Sequence, residues 1–375
     1  MNLEIKATLQ KIHSQFWREQ TISKTVVTEE DIRHNRDRLK IFDKSVFMSE
    51  TIHREIQNSV DRLFHFKSQN ITINFFCVRG HSVYQKYFEE LNYSLERAFA
   101  FLKTANSGVA LHGTTTAETK DKRTDYEEIT IYLFLSEQKK TFAWFGSPWR
   151  ADNVNSGFSF RGNPHSIVVY RKEEVFKVCV HEMLHALGLD IYDDSDLFPV
   201  DSFALQSSIP VYINEAYVET WATLINCVFC AQIQENFYEN ILVERNFLLS
   251  QVGYILKRGG FKSWSEFHKG SEEEQQHQQQ QHHNIETFDK NLKQETSMFS
   301  YFILRCALFY DVQWLLQNFL VHDKKDLTVL RKQGLAVFRS EAFIKDINKR
   351  LRDDNDAAML KNRIRMTFLE RSGVS

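Results

Sequence analysis

The segment Val178-Cys-Val-His181-Glu182-Met-Leu-His185-Ala-Leu-Gly188 constrains this chain more than any other stretch. On a helix, four residues advance a little more than one turn, so His181 and His185 project from the same face. Two imidazoles one turn apart can ligate one metal ion. Glu182 lies at the edge of that face, placed to take a proton from a metal-bound water rather than to bind the metal. Phe176, Val180, Met183 and Leu187 fall on the other side, where a core would cover them. Glu173-Glu174 puts negative charge at the expected helix start, and Gly188 suits the left-handed turn that closes a helix.

A catalytic zinc takes three protein ligands and leaves one position for water. The third is expected from a second helix, opened by Pro210 and running to about Ala231. In Ile213-Asn214-Glu215-Ala216-Tyr217-Val218-Glu219 the two glutamates are again four apart and share a face. Their neighbours Ala216, Val218, Trp221, Ala222, Leu224 and Ile225 are apolar, and acids in so apolar a helix require partners. Glu215 is therefore the expected metal carboxylate. Glu219, one turn on, is placed to accept the free N–H of a ligating imidazole, a bond that fixes its tautomer. Asp190 is the alternative third ligand. It heads an acidic cluster with Asp193, Asp194 and Asp196, and a histidine in a longer version of the motif would stand at 191, where the chain has Ile191.

Around this motif the chain divides into three. Residues 1–69 read as a helical segment, with Thr28 and the acidic Glu29-Glu30-Asp31 as a helix start and Ile52, Ile56, Val60 and Leu63 at helical steps. Residues 70–231 form the candidate catalytic core. Within it, Ile71, Ile73 and Phe75 alternate with polar residues before the apolar Phe76-Cys77-Val78, a strand becoming fully buried, and Tyr84 to Lys103 returns to helical period. Further strands are expected at 129–135, 141–145 (paired with 129–135 as a hairpin), 156–160 and 166–170. Residues 232–375 read as a helical region, and Tyr301 to Val321 is too interrupted by Arg305, Asp311, Gln313, Gln317 and Asn318 to span a bilayer. Its low-complexity stretch 271–284, with His277, His282 and His283, is expected to be a disordered surface loop.

The remaining classes are narrowed by composition. Apolar residues make up 42% of the 375, enough for a large core, while only 4 Pro and 13 Gly favour helices. Acids and bases are mixed, with a net charge of −2 and no basic block, so nucleic acid is not an implied partner. Five cysteines do not make a disulfide framework, and the single Cys227-x-x-Cys230 pair reads as two core thiols. Without a signal-like h-region or a spanning segment, a soluble cytoplasmic or otherwise intracellular protein is expected.

His181-Glu182-x-x-His185, followed thirty residues later by Asn214-Glu215-x-x-x-Glu219, resembles the zincin superfamily of metallopeptidases, and within it the thermolysin-like gluzincins. Glu219 stands where that group more often has Asp. The resemblance implies an α+β, zincin-like fold, with a small twisted sheet before the active-site helix, a helical half after it, and here an added N-terminal helical segment. It implies one zinc ion per chain on His181, His185 and Glu215, with Glu182 as general base for peptide hydrolysis. Tyr212, Tyr217 and His268 are candidates to steady the oxyanion, and the strand at 156–160 is a candidate to pair with an extended substrate. A peptide or protein substrate and an inhibitor or regulatory partner are the expected partners. A non-proteolytic zinc amidase or hydrolase, or a zinc-stabilised interaction protein, is the alternative.

Overall fold

The computed structural model describes residues 3–18, 24–43, 47–78, 83–106, 126–190, 197–231, 234–269, 290–318, 324–353 and 364–369. The chain is α+β. Helix α1 (Leu3–Phe16) precedes strand β1 (Val26–Asp31), helix α2 (Glu50–Ser59) and strands β2 (Val60–Lys67) and β3 (Ile71–Val78). Helix α3 (Gln85–Asn106), strand β4 (Ile129–Ser136), the short helix α4 (Ala151–Val154), strands β5 (Gly157–Phe158) and β6 (Ile167–Arg171) and helix α5 (Val175–Ala186) follow. Six strands form one sheet in the order β1-β2-β3-β4-β6-β5. The β3–β4 and β4–β6 pairs are parallel and the others antiparallel. The chain then adds strand β7 (Leu205–Ser207), helices α6 (Ile213–Cys230), α7 (Gln234–Arg258) and α8 (Trp264–Phe267), and a run of helical pieces from Phe299 to Arg352. Among the described residues, no helix is long and apolar enough to cross a membrane.

Both faces of the sheet are covered. On one, Ile71, Ile73, Phe75, Ile131, Leu133, Ile167 and Val169 join α1, α3, α5 and the helical half in a single large core. On the other, Phe76, Phe134, Val168 and Tyr170 pack with Ile52 and Ile56 of α2 and with Leu39 and Phe42 of a 3-10 helix, Arg36–Phe42. Burial on both sides explains why β3 and β6 read as nearly continuous apolar runs.

Two expectations for residues 1–69 are corrected. Thr28-Glu29-Glu30-Asp31 starts no helix but forms part of β1. Its acids meet basic groups from other elements, Arg38 at 3.2 Å from Glu30 and Arg62 at 3.5 Å from Glu29. Val60 and Leu63 continue the helical spacing of Ile52 and Ile56, yet α2 ends at Ser59 and both lie in β2. Period two would put positions 60 and 63 on opposite faces. A register shift between Val60 and Arg62 restores them to the same core, so a bulge mimics helical periodicity. The β2–β3 pairing also carries the sheet across the 69/70 boundary.

The hairpin expected between 129–135 and 141–145 does not form. Both hydrogen-bonding edges of β4 are taken, by β3 and β6, and residues 141–145 contribute no strand. Asp193, Asp194, Asp196 and the stretch 271–284, with His277, His282 and His283, lie outside the described residues.

Candidate metal centre

Helix α5 follows directly on the buried strand β6 and is almost wholly buried itself. Its N-cap, Glu174, has φ +62°, the left-handed region that a residue with a Cβ enters only when its surroundings hold it there. The holding contacts are an ion pair with Lys140 and the backbone N–H of Thr367, which donates to Glu174 Oε1 at 2.7 Å. Glu173 receives the backbone N–H of Lys140 at 3.1 Å. The acidic pair is thus a buried anchor, not a solvated helix start. At the other end Gly188, with φ +65°, closes the helix, and Leu189 N–H returns to Leu184 O at 2.9 Å.

α6 packs against α5 and lies across the two histidines. The Nε2 atoms of His181 and His185 are 3.2 Å apart. Glu215 Oε2 stands 3.8 Å from the first and 3.7 Å from the second. Both Nδ1 atoms point the other way, each to a carboxylate: His181 to Glu219 Oε2 at 2.8 Å and His185 to Asp190 Oδ2 at 3.0 Å. These bonds put the Nδ1 protons toward the acids and turn both Nε2 lone pairs toward a common point.

This donor set fits a cation. Glu215 Oε2 is buried without a hydrogen-bond partner. Burial alone would raise the pKa of Glu215, but His185 and His181 bring it down to about 2, so it is ionised. Burial opposes protonation of His185, and the carboxylates of Glu215 and Asp190 outweigh it, holding its pKa well above the ordinary value. Two Nε2 atoms facing each other beside a buried carboxylate demand positive charge between them, which a proton on His185 or a bound cation supplies. Tetrahedral zinc with Zn–N of roughly 2.0–2.1 Å needs donors about 3.3 Å apart, close to the observed separations. Among the described residues, His181, His185 and Glu215 are the group of three whose ligand atoms could share a metal. Asp190 lies on the Nδ1 side of His185, where it also takes Arg161 Nε at 3.0 Å.

Glu182 lines the same cavity without belonging to the donor group. Ser159, just past β5, donates to Glu182 Oε2 at 2.8 Å. Burial raises the pKa of Glu182 although His181, His185 and Ser159 act against it. β5 is the sheet's end strand and lies close over α5. A Cβ on Gly157 would meet Val168 O at 2.7 Å and Glu182 Cγ at 3.2 Å, so only glycine allows this approach.

Sequence reasoning missed four residues. Tyr301 lines the cavity from a π-helical stretch, Phe299–Leu304, with its ring 5.8 Å from that of His181. It lies within hydrogen-bonding reach of Glu215, and burial, then Glu215, raises its pKa well above the ordinary value. Lys177 and Arg305 both pair with Glu219, and Ser159 holds Glu182. A polar residue inside an apolar run was the only signal for Lys177 and Arg305. The structure does not bring Tyr212, Tyr217 or His268 to the cavity. Tyr217 packs beside Trp221, and His268 sits among Phe203, Trp264 and Phe338. Cys227 is buried in the last turn of α6, and it and Cys230 form no disulfide.

No family model, curated protein or solved structure matches the chain.

Proposed function

We propose that the chain is a zinc-dependent metallopeptidase with a zincin-like, gluzincin-like arrangement, binding one zinc ion through His181, His185 and Glu215. The observation that carries this reading is the convergence of His181 Nε2, His185 Nε2 and the partnerless Glu215 Oε2 beside a buried carboxylate, Glu182, that is not among the donors. A purely structural site has no use for such a carboxylate, which favours an enzyme over a zinc-stabilised interaction protein. The sheet ahead of α5 and the helical half behind it agree with the zincin outline.

A bound zinc supplies Lewis acidity, which polarises a scissile carbonyl and acidifies water. The chain's own residues do the rest. Glu182 takes the proton of the attacking water at its carboxylate and passes it to the leaving amine, while Ser159 fixes its rotamer. Glu219 and Asp190 hold the two imidazoles in one tautomer. Tyr301 offers a hydroxyl toward the developing oxyanion. β5 has no strand on its outer edge among the described residues, and an extended peptide added there would run past Glu182. The cavity, about 190 Å³, admits one side chain rather than a folded protein surface, so a restricted substrate or a regulatory partner fits better than general proteolysis.

Metal analysis joined to peptide-library cleavage tests the reading. Wild type should hold one zinc, and alanine at both His181 and His185 should strip it. Glu182→Gln should keep zinc and melting temperature and lose about 10²–10⁴-fold in hydrolysis. Cleavage at the wild-type rate would remove Glu182 as the base.

A further inference from the structure

The metal donors occupy only the outer part of the cavity. Among the residues that line the cavity, side-chain exposure falls from 48% at Arg161 and 15% at His185 to 2% at Lys177 and 0% at Lys140. Met366, 6% exposed, lines the same cavity with them. Lys177 precedes His181 by one helical turn, about 6 Å along the axis. Glu174 lies one turn deeper again and touches both Lys140 and the backbone of Thr367, so Lys140, Lys177 and Met366 gather at one inner end.

Met366 is carried there by an irregular segment, residues 364–369, whose backbone is gripped by side chains. Gln251 bonds both polar groups of Arg365, at 2.6 and 3.1 Å. Glu174 takes Thr367 N–H at 2.7 Å, and Glu244 takes the N–H groups of Phe368 and Leu369, each at 2.9 Å. With clamps on both sides of it, Met366 is a fixed wall.

The inner end is rich in cations. Lys140, Lys177, Arg305 and Arg365 surround two carboxylates, Glu174 and Glu219. Of the other acids nearby, Glu173 is taken up by the backbone N–H of Lys140 and by Lys139, and burial raises the pKa of Glu244 and so weakens its charge. Each lysine ammonium has three donors and, among the described residues, one carboxylate partner, Glu174 for Lys140 and Glu219 for Lys177. Buried donors left without acceptors are costly.

We propose, building on the peptidase reading, that this inner end is a specificity pocket for a substrate carboxylate, borne either by an acidic side chain beside the scissile bond or by a free chain end. The carboxylate would accept hydrogen bonds from Lys140 and Lys177 while its methylene stem lies along Met366.

The test uses metal-free protein, prepared with a chelator so that no carboxylate binds a metal. Three N-acetylated tripeptides are compared by calorimetry: one with Glu and an amidated end, one with Gln and an amidated end, and one with Leu and a free carboxyl end. One carboxylate probe should bind at least about tenfold more tightly than the Gln probe, as a charge-assisted hydrogen bond warrants, and the winner identifies the source. Met366→Glu fills the pocket with a carboxylate of the chain's own and should erase the preference, whereas Met366→Gln should keep it. Should either variant melt early, the wild-type comparison still decides. Equal binding of all three probes overturns the pocket. Acid-selective binding without cleavage of any peptide leaves the pocket standing and removes the peptidase reading, and cleavage with no acid preference does the reverse.

Discussion

His181 and His185 each give Nδ1 to a carboxylate, but the two supports are built from different material. Glu219, behind His181, is 1% exposed and shares its charge with Lys177 and Arg305, both essentially buried. Thr223 joins the group, accepting from Arg305 at 3.2 Å and donating to the Glu219 carbonyl at 2.8 Å. Asp190, behind His185, sits in the loop just after α5, and its cation Arg161 is half in solvent, at 48%. A buried network whose members lack water as an alternative partner is coupled to folding. A support whose cation can turn outward is coupled mainly to the imidazole it orients. One half of the site therefore belongs to the core and the other to the surface, although the two bonds to imidazole look alike.

The largest expected effect comes from breaking the buried half. Glu219→Gln leaves Lys177 and Arg305 facing each other without their carboxylate, and should cost about 3–5 kcal/mol of stability in urea unfolding of the metal-free protein. A loss as small as that at Asp190 would abolish the distinction drawn above. Asp190→Asn comes next. Zinc affinity measured by competition with a chelator should fall about 10–100-fold, while stability changes by no more than about 1 kcal/mol, because Arg161 can rehydrate. A large unfolding effect with unchanged affinity would reverse the assignment of the two halves. Arg161→Gln should be the mildest. Its stability change should stay below about 1 kcal/mol and shrink as ionic strength rises, since a half-exposed pair is screened. An effect that persists undiminished in high salt would mean that Arg161 belongs to the core after all.

Local spacing made much of this site legible. Steps of four on a helix put His181 with His185 and Glu215 with Glu219, and the apolar neighbours marked both helices as buried. Gly188 carried a clear stop signal, and β3 a clear strand signal. Elsewhere the same kind of signal misled. Positions 52, 56, 60 and 63 keep one core face through a helix, a boundary and a bulge, so spacing alone cannot separate that path from a continuous helix. The acids of β1 are answered by Arg38 and Arg62, which no local pattern couples to them. Asp190 was visible as a carboxylate near the motif. Its placement on Nδ1 of His185, away from the point where the donors meet, follows from the turn at Gly188, which brings the chain back toward its own helix.

Helical periodicity is a property of the backbone over a few residues, and so the sequence by itself determined which side chains share a face, which helices are buried and that four titratable groups stand ready in two pairs. Which pair of helices meets, and at what distance, depends on the packing of the whole core. Only the tertiary structure decided that Glu215 faces both Nε2 atoms while Glu219 goes to Nδ1, that Tyr301 arrives from a π-helical stretch more than eighty residues further along the chain, and that Lys177 and Arg305 converge on one acid. Contacts between residues far apart in the chain form because burying apolar surface brings their elements together, and the polar groups carried along must then find partners among whatever lies opposite.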